Sequence, residues 1–520
     1  MPTQFKPFPL PSPVKGWLPD LPPHTIGPEY WAVARGVRFY NNRVEKVRGW
    51  RSQGTTVTGV PGLICRARFQ DGSDFPIVCS DQQINRVKSD NTLQLLLGSL
   101  AANTHARWEN DSFPNANFFN RTDGALSVNQ YDGTNIGPYS SFGTVTLSSG
   151  YTSPPTGKTL CQFQSHLLVG AITNDGAGNV DLQSVAGSDL ADGEGISPGQ
   201  YGWDFFSGNV AASEAVIADV FEGNDEVKRI IRLADYLCVI KEGSIHLLDY
   251  VGINAGIYRK RQPVSYVGTP SGASAIGVRG VVYFLGQDNF YRFNGVEPQP
   301  IGDGVYQTFI NTIMPDDAKD LWAFDDVLRK EICWVGRDNQ AVCYNYENGA
   351  WSLKTFPFTA AGYVNLTQAG DDWSNQTQDW SSWLEDWRDA TTLNDLTILG
   401  GKSTGKLYVL GEANRYDDDG TDLDSRLETG DFDFGDESAV KMVNEMRFEG
   451  TTLGTNALEL YVATRDHLGA TLDWKGPYSF TNNRATFAHS GRWFRFAFVK
   501  RGGYFDLEKF TPFVRGRGRF

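Results

Sequence analysis

A weak repeat of strand, turn and strand constrains the fold more than any other feature of the sequence. The clearest copies start at Leu237, Val282 and Ile332, so successive starts lie 45 and 50 residues apart (282 − 237 and 332 − 282). Each copy has an apolar run, a polar turn of four residues that contains Gly or Asp, and a second apolar run. Looser copies begin at Ile77, Leu167 and Ile398.

A strand repeat with a period of about 40–50 residues is typical of β-propeller blades. A single unit of this kind cannot bury both of its faces, so successive sheets have to stack around a common axis. Residues 35–412 provide 378 positions, which is enough for about six to eight blades, and we favour six or seven. We expect the hairpin at 35–50 to close the ring beside Lys406–Leu410.

The two ends of the chain have a different character from the repeat region. Residues 1–34 are rich in proline, which predicts an extended arm lying on the body or on a neighbouring subunit, with a disordered tail as the alternative. Alternating strands return at Ala457 and Arg492, so 413–520 is predicted to be a small β-sandwich-like domain with a short basic tail. The predicted class is all-β, a propeller followed by this domain.

An insertion rich in Trp and Asp lies near 371–390, between two of the repeat units. Trp380, Trp383 and Trp387 have helical spacing, which would place them on one face of a short helix. A platform for sugar rings is one interpretation. A loop held by its tryptophans against the propeller or a neighbouring subunit is the other.

Two stretches resemble known binding loops and fail in detail. The run from Gly400 to Leu407 has the glycines and lysines of a phosphate-binding loop, but Leu407 stands where a hydroxyl residue is needed, so a hairpin turn is expected. The acidic run Asp417–Asp424 does not fit an EF-hand, because Arg415 and Arg426 occupy the first and last ligand positions. A solvated turn is favoured there, and an improvised calcium site stays open.

No other pattern points to chemistry. The six histidines are dispersed and no nucleophile elbow is present. We therefore predict a protein that is not an enzyme, with no catalytic, cofactor-binding or metal residue, no cofactor and unknown binding residues. The six cysteines are scattered and mostly lie in apolar runs, so we expect free buried thiols and a reducing compartment.

The charge balance restricts the partners. A net charge of −14 argues against tight binding of duplex DNA, yet it suits a passage through which DNA slides. No signal peptide or membrane-spanning stretch is visible, and no stable membrane association is expected. The C-terminal alternation of Arg515, Arg517 and Arg519 with glycine indicates contact with nucleic acid or an acidic neighbour, or else a solvated tail.

Several stretches together resemble one protein family. The opening Val37-Arg38-Phe39-Tyr40, the later Tyr291-Arg292-Phe293-Asn294-Gly295, and the order of the Trp-rich insertion and terminal β-domain are similar to the tail nozzle or hub proteins of short-tailed bacteriophages. These are also described as phage stabilisation proteins. The similarity extends over most of the chain, although the proline-rich arm is longer than the family suggests.

The resemblance implies a structural virion protein of the phage tail, assembled in the host bacterial cytoplasm. It implies a homohexameric ring below the portal and adaptor proteins, which seals the genome, docks tail fibres or spikes, and passes double-stranded DNA during ejection without tight binding. The alternative is a carbohydrate-active or carbohydrate-binding β-propeller. A third possibility is a monomeric scaffolding propeller that binds peptides.

Overall fold

Strands account for nearly all the regular structure of the protein. The structure is a computed structural model that describes residues 4–11, 13–88, 90–138, 147, 150–189, 215–220, 225–252, 256–261, 264–366, 396–412, 414–454 and 456–519. Helical segments within these ranges are short. They lie at Gly272–Ser274, at Tyr306–Thr308 continued directly by Phe309–Ile313, at Ala318–Asp320 and at Arg337–Asn339. No helix in the described ranges is long and apolar enough to cross a membrane.

Strands β1 to β6 precede the first blade. They are β1 (Lys6–Pro7), β2 (Gly16–Trp17), β3 (Tyr30–Arg35), β4 (Val37–Tyr40), β5 (Arg43–Lys46) and β6 (Trp50–Thr56).

Blades 1 to 4 follow in chain order, each an antiparallel sheet whose four main strands pair in sequence order. Blade 1 contains β7 (Pro61–Arg68), β8 (Asp74–Ser80), β9 (Ile84–Val87) and β10 (Leu93–Leu97). Blade 2 contains β11 (Trp108–Phe113), β12 (Ala116–Arg121), β13 (Asn129–Tyr131) and β14 (Ile136–Pro138). Blade 3 contains β15 (Thr156–Phe163), β16 (His166–Asn174), β17 (Asp181–Gly187) and β18 (Val216–Asp219). Blade 4 contains β19 (Val227–Leu233), β20 (Tyr236–Lys241), β21 (Ser244–Gly252), β22 (Ile257–Lys260) and the short β23 (Val264–Ser265).

Blades 5 to 7 complete the ring within the described residues. Blade 5 contains β24 (Ile276–Val278), β25 (Val281–Leu285), β26 (Phe290–Phe293) and β27 (Pro298–Pro300). Blade 6 contains β28 (Trp322–Asp326), β29 (Glu331–Val335), β30 (Gln340–Asn345) and β31 (Trp351–Thr355). Blade 7 contains β32 (Ala360–Asn365), β33 (Leu396–Gly401), β34 (Lys406–Leu410) and β6, and the short strands β35 (Asp417–Asp418) and β36 (Thr421–Asp422) extend its sheet beyond β6.

Apolar clusters between neighbouring blades show that the sheets form a closed ring. Blade 4 illustrates the rule: Leu237 and Val239 of β20 pack toward blade 3, whereas Cys238 and Ile240 pack toward blade 5. An apolar cluster also fills every other junction between neighbouring blades, including that between blades 7 and 1. Because the side chains of a strand alternate between two buried faces, the middle strands of a blade have continuous apolar sequences. The predicted all-β propeller of six or seven blades is confirmed, with seven.

An N-terminal strand closes the ring, but it is not the predicted hairpin. Strand β6 pairs antiparallel with β34, with Trp50 opposite Leu410 and Thr56 opposite Lys406. The hairpin β4–β5 lies just before β6 in the chain and pairs instead with β44 (Tyr504–Leu507) of the C-terminal region. One edge of the hairpin is therefore already occupied, and the next extended segment supplies the closing strand.

The C-terminal region forms a sandwich that shares a sheet with the propeller. Its remaining strands are β37 (Asp424–Thr429), β38 (Ala439–Glu449), β39 (Thr452–Leu453), β40 (Glu459–Arg465), β41 (Asp473–Ser479), β42 (Arg484–Gly491), β43 (Trp493–Arg501) and β45 (Lys509–Arg519). Strand β3 joins β31 of blade 6 on one side and β37 on the other, which makes one ten-stranded sheet. The second sheet has the order β1-β45-β38-β42.

The proline-rich segment lies on the protein's own body. Strand β1 pairs with β45, and Leu10 and Trp17 are buried in the main core. The indole of Trp31 donates to the carbonyl of Pro13 at 2.6 Å. Strands β1 and β2 lie within the segment predicted from the sequence as an arm, and the longer strand β3 also begins inside it, at Tyr30.

The prediction of six free cysteines is wrong for one pair. Cys333 and Cys343 lie directly opposite each other on β29 and β30 and form a disulfide. Cys65, Cys79, Cys161 and Cys238 are free. Sequence spacing gave no sign of the pairing, because cross-strand register is decided by the turn between the two strands.

Candidate functional site

The axis of the propeller is the first place to look for function. The first strands of blades 1 to 6 contact one another in succession, and β32 contacts β7. Glycines permit this close approach at several junctions: a Cβ on Gly362 would overlap the carbonyl of Ile64, and one on Gly277 would lie 3.0 Å from the Ile231 side chain.

A buried carboxylate ties three blades together beside the axis. Oε2 of Glu109 in blade 2 accepts hydrogen bonds from Thr159 Oγ1 at 2.9 Å and from the Leu160 backbone N–H at 2.7 Å, both in blade 3. Its Oε1 accepts from the Arg229 guanidinium of blade 4. Burial raises the pKa of Glu109, and Arg229 and the hydrogen bonds oppose that shift. The arrangement is a structural ion pair whose groups are committed to one another.

A second cation links blade 2 to the far side of the ring. The Arg107 guanidinium donates to the carbonyl of Thr359 and, at 3.1 Å, to that of Asp320. It also lies 5.5 Å from the ring centre of Trp322. Burial lowers the pKa of Arg107 to about 10, so it stays charged at neutral pH. Its hydrogen-bond partners are carbonyls, which position the blades and supply no reactive group.

A chain of alternating charges runs between blades 3 and 4. Lys158 and Lys228 each lie 2.7 Å from Glu226, and Lys228 lies 3.6 Å from Glu242. Each cation has at least one carboxylate partner. These charges bind one another, which indicates a structural role.

The cleft between blades 5 and 6 holds a more unusual group. Oδ1 of Asp325 is buried and accepts no hydrogen bond from the described residues. Burial, followed by repulsion from Asp326, raises the pKa of Asp325 to about 7, and Arg279 partly offsets this. The Arg279 guanidinium lies 5.5 Å from the ring centre of Tyr346, whose buried hydroxyl has no hydrogen-bond partner among them either. No sequence pattern marked Asp325, because its environment comes from a neighbouring blade.

An open groove lies between blades 4 and 5. Its floor contains the buried side chains of Leu247 and Phe293. At its rim, Arg259 and Arg261 both bind Asp249 at 3.0 Å. The rim cations are therefore engaged with a carboxylate of their own blade.

The sequence stretches that resembled binding loops adopt ordinary turns. Residues 402–405 connect β33 to β34, and the Lys402 ammonium lies 4.3 Å from the Tyr408 ring centre. Asp417 and Asp418 pair with Asp422 and Thr421 in a short hairpin. No group of metal-ligating side chains occurs among the residues described.

The four free cysteines carry no sign of nucleophilic chemistry. Burial raises the pKa of Cys65 to about 12 and holds the pKa values of Cys79, Cys161 and Cys238 above the usual thiol range. These thiols stay protonated and inert at neutral pH.

Two remaining sequence features have different outcomes. The Trp-rich insertion near 371–390 falls outside the described residues. The basic C-terminal tract is part of β45, which pairs with β38 along its length, so it is a strand of the sandwich.

Comparison with known proteins finds only distant structural similarities. No protein-family model matches the sequence, and no curated protein matches it. A chain in the crystal structure of the mitotic checkpoint complex is 8% identical, covering 70% of this chain and 92% of its own length, with a TM-score of 0.38. Raptor from Chaetomium thermophilum is 8% identical over 71% of this chain and 29% of its own length, also with a TM-score of 0.38. This chain thus spans less than a third of Raptor, and our fold assignment depends on sheet order and the apolar clusters alone.

Proposed function

We propose that the protein is a structural subunit of a short-tailed bacteriophage tail, a nozzle or hub component that forms a hexameric ring. The observation that carries the proposal is the fusion of propeller and sandwich through a ten-stranded sheet, with one core spanning both. A subunit that holds a pressurised genome has to resist deformation, and a continuous sheet transmits load without a hinge.

The resemblance to phage nozzle and hub proteins supports the same function. The hairpin 37–46 that carries part of this resemblance packs against the C-terminal strand β44, and the Tyr291–Gly295 stretch includes β26 of blade 5. In this proposal the ring binds portal-adaptor proteins on one side and tail fibres or spikes on another. DNA passes through the lumen enclosed by the six subunits, and a net charge of −14 keeps the affinity of the lumen for DNA low.

The test is the mass of the purified chain in solution, measured by light scattering and followed by negative-stain imaging. We expect a ring near six times the 57.6 kDa chain mass, or a monomer that assembles only on a portal-adaptor complex. Heterologous contacts that close after six rotations would give the ring. A stable monomer that ignores such a complex and binds or cleaves polysaccharide would overturn the proposal in favour of the carbohydrate-active propeller.

A further inference from the structure

The second sheet of the sandwich, β1-β45-β38-β42, presents one face to the core and the other away from it. Met446 of β38, Ala485 of β42 and Phe510 of β45 belong to the main apolar cluster. Because strand side chains alternate, their sequence neighbours lie on the opposite face. The outer-face strand side chains used below are Glu445, Arg447, Arg484, Phe513 and Arg515. Phe5, which directly precedes β1, lies against Arg515.

Arginines outnumber acids on this face. Arg447 and Arg484 each bind Glu445 at 2.7 Å. The two arginine side chains are 51% and 52% exposed, whereas Glu445 is 12% exposed. One partly buried carboxylate therefore orients two exposed guanidinium groups and leaves one positive charge uncompensated.

Aromatic rings orient the guanidinium groups further. The Arg447 guanidinium lies 4.4 Å from the ring centre of Phe513, and that of Arg515 lies 4.7 Å from the ring centre of Phe5. Stacking on a ring leaves the N–H edges of a guanidinium free to donate hydrogen bonds.

The local charge contrasts with the rest of the protein. The chain as a whole carries −14, and exposed arginines on the blades lie beside acids, with Arg66 sharing Asp74 and Arg261 sharing Asp249. Arg68 is 4.0 Å from Asp74, Arg259 is 3.0 Å from Asp249, and Arg279 is 3.9 Å from Glu347.

We infer that this outer face binds the sugar-phosphate backbone of a nucleic acid without reading its sequence. Arginine forks match phosphate oxygens, and such contacts supply sequence-independent affinity. The half-buried rings of Phe5 and Phe513 favour a nucleic acid over an acidic peptide, because sugars and bases pack on aromatic faces. The sheet contains no blade strand, and the inference does not depend on the proposed tail function.

The test measures binding of the full-length protein to a fluorescein-labelled 30-mer of single-stranded DNA by anisotropy, from 50 to 300 mM salt. The test variant is Arg447→Gln, Arg484→Gln and Arg515→Gln together, since Gln still donates to Glu445. The matched control is Arg68→Gln, Arg259→Gln and Arg279→Gln, which removes the same charge from the blades. Circular dichroism and melting temperature establish that both variants are folded.

We expect the wild-type protein and the control to bind alike at 50 mM salt. The test variant should bind at least about tenfold more weakly, and its plot of log K against log salt should be shallower by about 2, because each phosphate that is no longer neutralised lowers the slope by roughly 0.7. If the triple variant does not fold, Arg515→Gln alone, which does not touch Glu445, should reduce the slope by about 0.7.

Three results would overturn the inference. They are no DNA binding by the wild-type protein at 50 mM salt, an equal loss of affinity in the control variant, and binding of poly-glutamate but not of DNA. The last result would assign the face to an acidic protein partner. Because the mass measurement above does not involve DNA, failure of either hypothesis leaves the other intact.

Discussion

Asp325 and Asp326 are neighbours on β28, yet their surroundings shift the pKa values of their carboxyl groups in opposite directions. The side chain of Asp325 points toward blade 5, where burial raises its pKa to about 7. Asp326 points the other way and receives hydrogen bonds from Arg329 at 2.7 Å and Tyr363 at 2.8 Å. Burial alone would raise the pKa of Asp326, but Arg329 and the other partners outweigh it and lower the pKa.

This difference predicts opposite effects of the two Asp-to-Asn changes on stability. For Asp325, the folded-state pKa lies above the unfolded value, so the carboxyl group costs stability as pH rises from about 4 to about 7. Asp325→Asn should stabilise the protein by about 2 kcal/mol at pH 8 and have little effect at pH 4. The measurement is the melting temperature of variant and wild type across that range.

Asp326→Asn is the internal control. Its depressed folded-state pKa means that the charged carboxylate stabilises the fold above the unfolded pKa and loses this effect as pH falls. Asp326→Asn should therefore destabilise the protein at pH 8, with a smaller loss at low pH. If both variants shift the melting temperature in the same direction at pH 8, the assigned environment of Asp325 is wrong.

At the scale of elements, the first strands of blades 7 and 1 lie so close together that one position between them has room only for glycine. Gly362 on β32 faces the backbone of Ile64 on β7, across the junction between blades 7 and 1. Its φ is not in the left-handed region, so the requirement at this position is space. A methyl group added at this position has to push β32 and β7 apart or disrupt the packing between them.

Gly362→Ala should therefore destabilise the protein by about 1–3 kcal/mol, measured as a loss of melting temperature. Gly469→Ala is the control, because the nearest atom to its Cβ would be His467 Cδ2 at 3.8 Å. Equal stability of the two variants would mean that the ring is looser at this junction than the structure indicates.

The sequence predicts most of the blades because their second and third strands are apolar on both faces. The copies starting at Leu237, Val282 and Ile332 correspond to equivalent strand pairs of blades 4, 5 and 6. The sequence repeat did not reveal blade 2, because the central strands of this blade bury polar residues. Asn120 is fully buried, and its side chain donates to the Gly157 carbonyl at 3.0 Å.

Apart from the Cys333–Cys343 disulfide, which joins neighbouring strands, the main features that the sequence did not predict depend on contacts between distant segments. The closing strand β6 has a polar sequence, with Arg51, Ser52 and Gln53 after Trp50. Only its pairing with β34 identifies it as the strand that closes the ring. The basic outer face of the sandwich combines three strands from separate parts of the C-terminal region. Its C-terminal arginines were visible in the sequence, but Arg447 and Arg484 became part of the same surface only through sheet register.

At the scale of the whole molecule, propeller and sandwich share a sheet and a core. Strand β3 hydrogen-bonds to both parts, and the cluster that contains Trp334 of blade 6 also contains Phe496 of the sandwich. Domains joined only by a linker unfold separately, whereas a shared core couples their unfolding. The structure therefore predicts a single calorimetric transition for the described body.

Substitutions in the two parts test this coupling. Phe496 lies in the sandwich core, and Phe118 lies in blade 2; both are fully buried. Each change to Ala should cost about 3–5 kcal/mol, and either one should move the single transition as a whole to lower temperature. Differential scanning calorimetry of the two variants would contradict the coupling if Phe496→Ala split the peak and left a propeller transition at the wild-type temperature. In that case the shared sheet would not transmit load between propeller and sandwich, and the mechanical basis of the proposed tail function would be lost.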